Sequence, residues 1–557
     1  MAGHIRVFVI AIIGLCCTYA GAAEEATSRA ASLPSTRPTF PVGKDTTRLL
    51  GPLLPDGRVD CVAALNEKYG QGVTPDNNAA VKLVDIFGTE AVWPPSIRNE
   101  VLRRLGVTEP AASRPSQWVA ADTKLSESLD AASRRIWSEA DYPEVATWLK
   151  ANERPLSELI TASNSPRYYM PLVATGEPAL LTVMLPSLRW FREGSKALIA
   201  RASLAIGQGR FEDARRDMQA VYRLAGLLGQ DATMIGRMVS VLTDKSASMA
   251  IQNMATSGKL SADQARRLIQ DIQSVSPLAN MTEAIDEIER YVQLDIIAWI
   301  ALGPGSQGSY STPYERAKTL LGRLEPWHPR SSSATSPTPV TPRSSPVTDS
   351  TSVGGATSMP VFTGMNPQFT STNNVMRALR VGLPVSEVTD ALHLVNAWYD
   401  QEVEIARYPT FRQIAQGAAQ ERARTRKTIV AQRDRLGNMT VQQVRETQGW
   451  FGFFVVSHLT SSLDRALVLT HLASVNRDLA VVALALAAAR ADTSAYPQTL
   501  SELVPTYLKE LPKDFCSGDD FIYKTEGDGY LLYSVGENMI DDHGDPKLDI
   551  VVQAKPR

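Results

Sequence analysis

The chain has 557 residues, 44% of them hydrophobic and 21% charged, which is an ordinary globular composition on a chain too long for one core. Its formal net charge is -2. That balance lacks the basic excess of a nucleic-acid footprint or of a stripe for anionic lipid, so neither is an expected partner.

His4 and Arg6 make a short polar start, Val7 to Cys17 is an apolar run, and Ala20, Gly21 and Ala22 are small residues of the kind a signal peptidase reads. Residues 1–22 are therefore read as a signal peptide cleaved after Ala22, and the protein as exported, periplasmic or extracellular. The run is short for a membrane span of about 20 residues, so the membrane enters only as an N-terminal anchor should cleavage fail. Leu15 before Cys16 is too large for a lipidation box. The mature chain keeps Cys61 and Cys516. In an exported protein these two could pair and tie the first module to the last, or remain two buried thiols.

Residues 23–44 are rich in Ala, Ser, Thr and Pro without an apolar period and are read as a flexible leader. A helical body follows over residues 45–329. Val59, Val62, Leu65 and Tyr69 recur at helical spacing, Pro75 and Asp76 open a second helix, and Pro94 and Pro95 open a third that Gly106 closes. Pro143 and Pro155 open two more. Leu188 to Ile206, the turn Gly207-Gln208-Gly209 and Phe211 to Leu228 form an αα-hairpin. The step Gly209 to Ala214 looks like the junction of a tetratricopeptide repeat, but one unit does not make a stack. Leu260 to Val275 and Asn280 to Leu302 complete this half. The second of these carries Glu283, Asp286, Glu287 and Arg290; Asp286 is spaced to pair with Arg290, and no Glu-x-x-His motif accompanies them.

Residues 330–372 are a Ser, Thr and Pro tract that cannot bury enough apolar area to order itself, and read as a disordered linker. A second helical segment spans residues 373–461: Val375 to Arg380, Val385 to Ala406, a basic helix from Thr410 to Leu436, and the aromatic patch Gln448 to Val456, expected to be core. His393, His458 and His471 are expected to be core histidines. Residues 462–557 begin with one long helix, Ser462 to Arg490, and continue into a stretch punctuated by Pro497, Pro505 and Pro512 and by five glycines from Gly518 to Gly544. Phe521 to Lys524 and Tyr530 to Val535 are strand-like runs around Thr-Glu-Gly-Asp-Gly, a hairpin signal. The expected fold is mainly α, a repeat-like body of helical hairpins with a small C-terminal α+β domain.

The long Ala-rich helix, then Tyr496-Pro497, Leu511-Pro512 with Asp514, Gly518, Tyr523, and Tyr533-Ser534-Val535-Gly536, resembles the C-terminal part of the major (G-type) pseudopilins of type II secretion. The resemblance covers about the last 80 residues. It implies a long helix, a small antiparallel sheet and a Gly/Asp-rich loop that can hold calcium. Two features depart from that family: the prepilin peptidase site and membrane helix are absent before this helix, and the usual Asp-Pro-Trp step is Asp514-Phe515-Cys516.

The acidic loop Glu537 to Asp545 is the best candidate site. Calcium takes six to eight oxygens, and Asp541, Asp542, Asp545 and Asn538 could supply several of them around a glycine turn, although the spacing is not that of an EF-hand. The alternative is an ordinary polar turn. His543 stands beside these acids without a second histidine. No His-Glu-x-x-His, Gly-x-Ser-x-Gly or Walker motif occurs. The expectation is an exported, non-enzymatic structural or binding protein of the bacterial envelope with a protein partner there. The alternatives are a component associated with the type II secretion pseudopilus, or an exported hydrolase or metal enzyme with its site in the helical body.

Overall fold

The computed structural model describes residues 40–89, 93–107, 116–185, 187–303, 312–324, 372–408, 411, 413–414, 427–428, 431–432, 434–459 and 463–555. The signal peptide, nearly all of the leader and linker, and much of the basic helix after Thr410 lie outside the described residues. The fold is mainly α with a small antiparallel sheet near the C-terminus, as the sequence leads one to expect.

The helices are α1 (Cys61–Gly70), α2 (Ala79–Phe87), α3 (Pro95–Arg104), α4 (Thr123–Ala132), α5 (Pro143–Ala151), α6 (Glu153–Ser163), α7 (Ser187–Gly207), α8 (Phe211–Leu228), α9 (Met234–Thr256) and α10 (Ala262–Gln273). Then come α11 (Met281–Glu283), the π-wound segment Ala284–Glu289, α12 (Arg290–Leu302), α13 (Pro313–Leu324), α14 (Thr372–Leu379), α15 (Val385–Ala406), α16 (Val441–Glu446), α17 (Trp450–Leu459) and α18 (Asp464–Thr493). Several of their starts are set by side chains that accept otherwise orphaned amides. Asp60, Asn78, Asp122 and Thr233 cap α1, α2, α4 and α9, and Ser261 with Gln264 forms a capping box at α10. Buried Glu387 accepts the Gly449 and Phe451 amides at 3.0 and 3.3 Å, tying the start of α17 to α15. The aromatic patch on α17 is core, with Trp450 and Phe451 fully enclosed.

Two apolar clusters organise these elements. The first runs from Ala79 on α2 through the α7–α8 hairpin and α10 to Ala554 at the end of the sheet. The second gathers Phe40, the start of α9, α12, α13, α14, α15 and α17. Helix α18 belongs to both: Ala466, Leu467, Leu469 and Ala473 lie in the second, and Val475 and Leu479 to Ala489 in the first. It packs along α9 and α10. Its apolar stretch is long enough to cross a membrane, but 83% of that window is buried inside the protein.

The α7–α8 hairpin shows how tightly the first cluster is fitted. Trp137 Nε1 donates to the Ala200 carbonyl at 2.9 Å, which holds the Trp137 backbone against the end of α7. A Cβ on Gly207 would stand 2.2 Å from the Trp137 carbonyl oxygen. Helix propensity alone gives Gly207→Ala a gain of about 1 kcal/mol, whereas overpacking against fixed backbone costs about 1–3 kcal/mol. The steric term should win. Urea denaturation should show Gly207→Ala to be the less stable chain, and a gain in stability would mean that the Trp137 loop moves aside freely.

Candidate functional site: the C-terminal acidic loop

After α18 the chain passes Tyr496 and Pro497, whose carbonyl accepts Tyr523 Oη at 2.8 Å, and reaches the short 3-10 turn Leu500–Leu503. The sheet has the order β1 (Ile522–Glu526), β2 (Gly529–Ser534), β3 (Ile550–Ala554), all antiparallel. Glu526 pairs with Gly529 across a two-residue turn, and Gly527 has φ 60°, the position that a II′ turn reserves for glycine. Strand β3 was not foreseen. It pairs Tyr530 with Ala554 and Leu532 with Val552, which places both ends of the acidic loop at one end of the sheet.

Asp514 is the polar hub of this module and is 1% exposed. Its Oδ1 accepts the Cys516 amide at 3.0 Å and Ser534 Oγ at 2.7 Å, and its Oδ2 accepts the Val535 amide at 3.2 Å and Ser517 Oγ at 3.3 Å. One carboxylate therefore ties the Leu-Pro turn to the end of β2. The turn after this Asp, Phe515-Cys516, carries no proline and is held by hydrogen bonding rather than by ring rigidity.

The acidic loop hangs between Gly536 and Asp549. Gly536, at φ 66°, closes it, since a Cβ there would stand 2.5 Å from the Leu548 carbonyl oxygen. Asn538 Nδ2 donates to Asp542 Oδ2 at 2.6 Å. Asp541 Oδ1 accepts Tyr533 Oη at 2.9 Å and the His543 amide at 2.8 Å, and these donors hold its exposed carboxyl below the usual range. Asp545 Oδ1 accepts the Lys547 amide at 2.9 Å. His543 is exposed and 3.6 Å from Asp541. The four expected ligands thus share one loop, but each is engaged locally. Among the described residues no three His, Cys, Asp or Glu side chains converge as a ready metal shell.

The residue that sequence reasoning missed is Asp549. It is 5% exposed; its Oδ2 accepts the Gly544 amide at 2.8 Å, while its Oδ1 is buried without a hydrogen-bond partner. Burial pushes its carboxyl up, against the pull of the Gly544 and Asp542 amides, and Asp542 and Asp541 add to the rise. An orphaned buried carboxylate oxygen facing two more carboxylates suits a hard cation. Asp549 lies at the mouth of β3, just beyond the acidic run that ends at Asp545.

Other expected sites resolve differently. Cys61 and Cys516 are both free and buried, Cys61 at the start of α1 beside Asp295 and Cys516 beneath Asp514, so no bridge joins them. Burial pushes the Cys516 thiol up to about 12. On the π-wound segment Asp286 pairs with Arg290 at 2.5 Å as its spacing implies, while Glu283 and Glu287 turn to Lys68 and Glu283 also to Arg237. His471 is half-buried and stacks on Phe515 at 4.3 Å, and burial lowers it to about 4. His393 is exposed rather than core, because it falls on the outer face of α15. Nothing is described of the His458 side chain. Comparison of the chain with family models, with curated proteins and with solved structures gives no match.

Asp514 makes the module's integrity testable. In Asp514→Ala, two buried amides and two hydroxyls lose their acceptor, at about 1–3 kcal/mol for each group left unsatisfied in the interior. The full chain should lose several degrees in Tm and its near-ultraviolet aromatic signal from Tyr530 and Tyr533 should weaken. A wild-type melting curve would show that this hub is dispensable.

Proposed function

We propose that the chain is an exported, non-enzymatic binding protein of the bacterial envelope whose C-terminal module is pseudopilin-like in build and uses calcium to set its acidic loop. Asp549 carries the calcium reading: a carboxylate oxygen is buried at the loop's closure with no donor of its own, next to Asp541 and Asp542. Asp541, Asp542, Asp545 and Asp549 would supply side-chain oxygens, with Asn538 and main-chain carbonyls beside them. Bound calcium would offset the like charges now gathered there, and its role is to fix the loop. The enclosure of α18 between two cores argues for a fixed tail rather than a polymerising one. The helical body is then the part that meets an envelope protein.

The test is calorimetry and thermal unfolding of the full mature chain with calcium and, separately, with magnesium. Calcium at about a hundredfold over its Kd should stabilise the chain by about 2.7 kcal/mol. Asp549→Asn should abolish that response while leaving the calcium-free chain as stable as wild type or more so, because a strained buried carboxyl is gone. The double variant Asp541→Ala with Asp542→Ala should also lose the response. No calcium-induced shift in the wild type, or an equal shift in Asp549→Asn, would overturn the calcium reading.

A further inference from the structure

Ahead of α1 the chain runs as a strap over the helical body. Phe40 is buried in the second cluster, and Asn396 Nδ2 donates to the Asp45 and Thr46 carbonyls at 3.1 and 2.7 Å. Arg48 pairs with both oxygens of Asp400 at 2.9 and 2.8 Å. Beyond these anchors the strap turns on itself, with Leu53 bridged to Val59 and the Asp60 amide donating to the Pro52 carbonyl at 2.8 Å. Leu50 and Leu53 at its bend are more than half exposed. Among the described residues, this outer half meets the body through a cluster of charge centred on the buried Arg58 and Asp295.

The cluster is short of positive charge. Arg58, 1% exposed, donates through Nε to Asp56 at 2.8 Å, its Nη1 lies 3.6 Å from Glu177, and its Nη2 is buried without a partner. Asp60 caps α1. Asp295 of α12 is buried, accepts the Leu180 amide at 2.9 Å, and faces Glu177 from the 176–183 loop and Arg58 and Asp60 from the strap. Cys61 lies beside Asp295, and Tyr291, one turn earlier on α12, lies near Cys61. Arg316 stands near Arg58 and donates to the Ile300 and Ala301 carbonyls. Fully ionised, the cluster would set Asp56, Asp60, Glu177 and Asp295 against Arg58 and the neighbouring Arg316, which leaves an excess of negative charge. Burying that excess is costly, and keeping one proton removes much of it.

We propose that the strap over residues 49–60 is a pH-sensitive latch: it stays closed while the Asp295 carboxyl keeps its proton and loosens when that proton leaves. Burial pushes Asp295 up to about 7, with Glu177 and Asp60 adding to the rise. An acid raised on enclosure contributes its stabilisation in full below the pH at which the exposed group titrates, and that contribution is lost as pH rises through about 7. The latch therefore weakens on the alkaline side. Its opening uncovers Val59 and Cys61 and frees the apolar bend at Leu50 and Leu53. The inference does not depend on the calcium reading.

Hydrogen exchange of the full mature chain, followed on peptides covering residues 53–60 and 176–183 and corrected for intrinsic rates, tests it. An acid that titrates near 3.8 when exposed and at about 7 when enclosed makes the opening constant rise about tenfold between pH 6 and pH 8.5. Asp295→Asn should reduce that rise to less than about twofold by the same linkage. Glu177→Gln keeps the test decisive should Asp295→Asn fold poorly: removing a facing negative charge should shrink the rise and move it to lower pH. Equal corrected exchange at the two pH values in the wild type, an undiminished rise in Asp295→Asn, or an unaltered profile in Glu177→Gln would overturn the latch.

Discussion

A helix of 30 residues that is apolar on nearly every side must be enclosed, and the architecture follows from enclosing α18. At 1.5 Å per residue it extends about 45 Å, the breadth of a whole domain. Exposing its Leu, Val and Ala surface would forfeit about 25 cal/mol per Å² of apolar area. Helices α9 and α10 cover it along one side, and β2, β3 and the turn after Tyr496 close another. Its small residues, Ala480, Ala483, Ala485 and Ala488, are each fully buried, which lets neighbouring backbones approach closely. Without α18 the first cluster loses its centre and the second loses one wall.

Three arginines of α18 fix its position along that path. Arg465 grips both oxygens of Glu537 at 2.9 and 2.7 Å, Arg477 pairs with buried Asp244 of α9, and Arg490 lies over the Tyr496 ring at 4.7 Å and donates to the Asp528 carbonyl at 3.0 Å. Each partner belongs to a different element, so sliding the helix by a turn would break all three together. The Asp244 pair matters most, because one partner without the other would leave an uncompensated charge in the core. Elsewhere buried polar groups are shared in the same way. Arg237 donates to the Asp231 and Asn280 carbonyls, to Glu283 and to Tyr69 Oη, which joins α9, α11 and α1 through one side chain.

Where a helix has one wet face, the sequence shows it: the α7–α8 hairpin and α15 were legible to within a residue or two, because their apolar period is intact and their ends carry Gly or Pro. The central helix α9 was not legible. It is sandwiched between α8 and α18, so its apolar residues surround the axis, and its Ser240, Asp244, Ser248 and Gln252 look like surface while being buried and satisfied by Ala225, Arg477, Tyr222 and Asn476. Their partners lie 15 to 233 residues away in sequence, and periodicity carries no information about them. The candidate site divides along the same line. Asp541, Asp542 and Asp545 announce themselves by clustering, whereas Asp549 matters through the burial of one oxygen, which only the closure of β3 onto β2 creates.

The same geometry decides what kind of module the C-terminus is. A detachable domain would bury its sheet against its own helix alone, but β3 also packs on α9, and Tyr530, Leu532 and Val552 share one cluster with residues of α8 and α10. The acidic loop is joined to this arrangement at both ends, by Glu537 to Arg465 and by Asp549 to the start of β3. A change in the loop's charge is therefore felt first by the helix that both cores share. Lys245 of α9 sharpens that coupling: it is a half-buried lysine whose charge is disfavoured by burial and by Arg465 and favoured by Glu537. Glu537 thus serves two cations from two helices while bordering a loop of carboxylates. The loop's electrostatics and the seating of α18 on α9 are in this way one problem, solved by a single carboxylate.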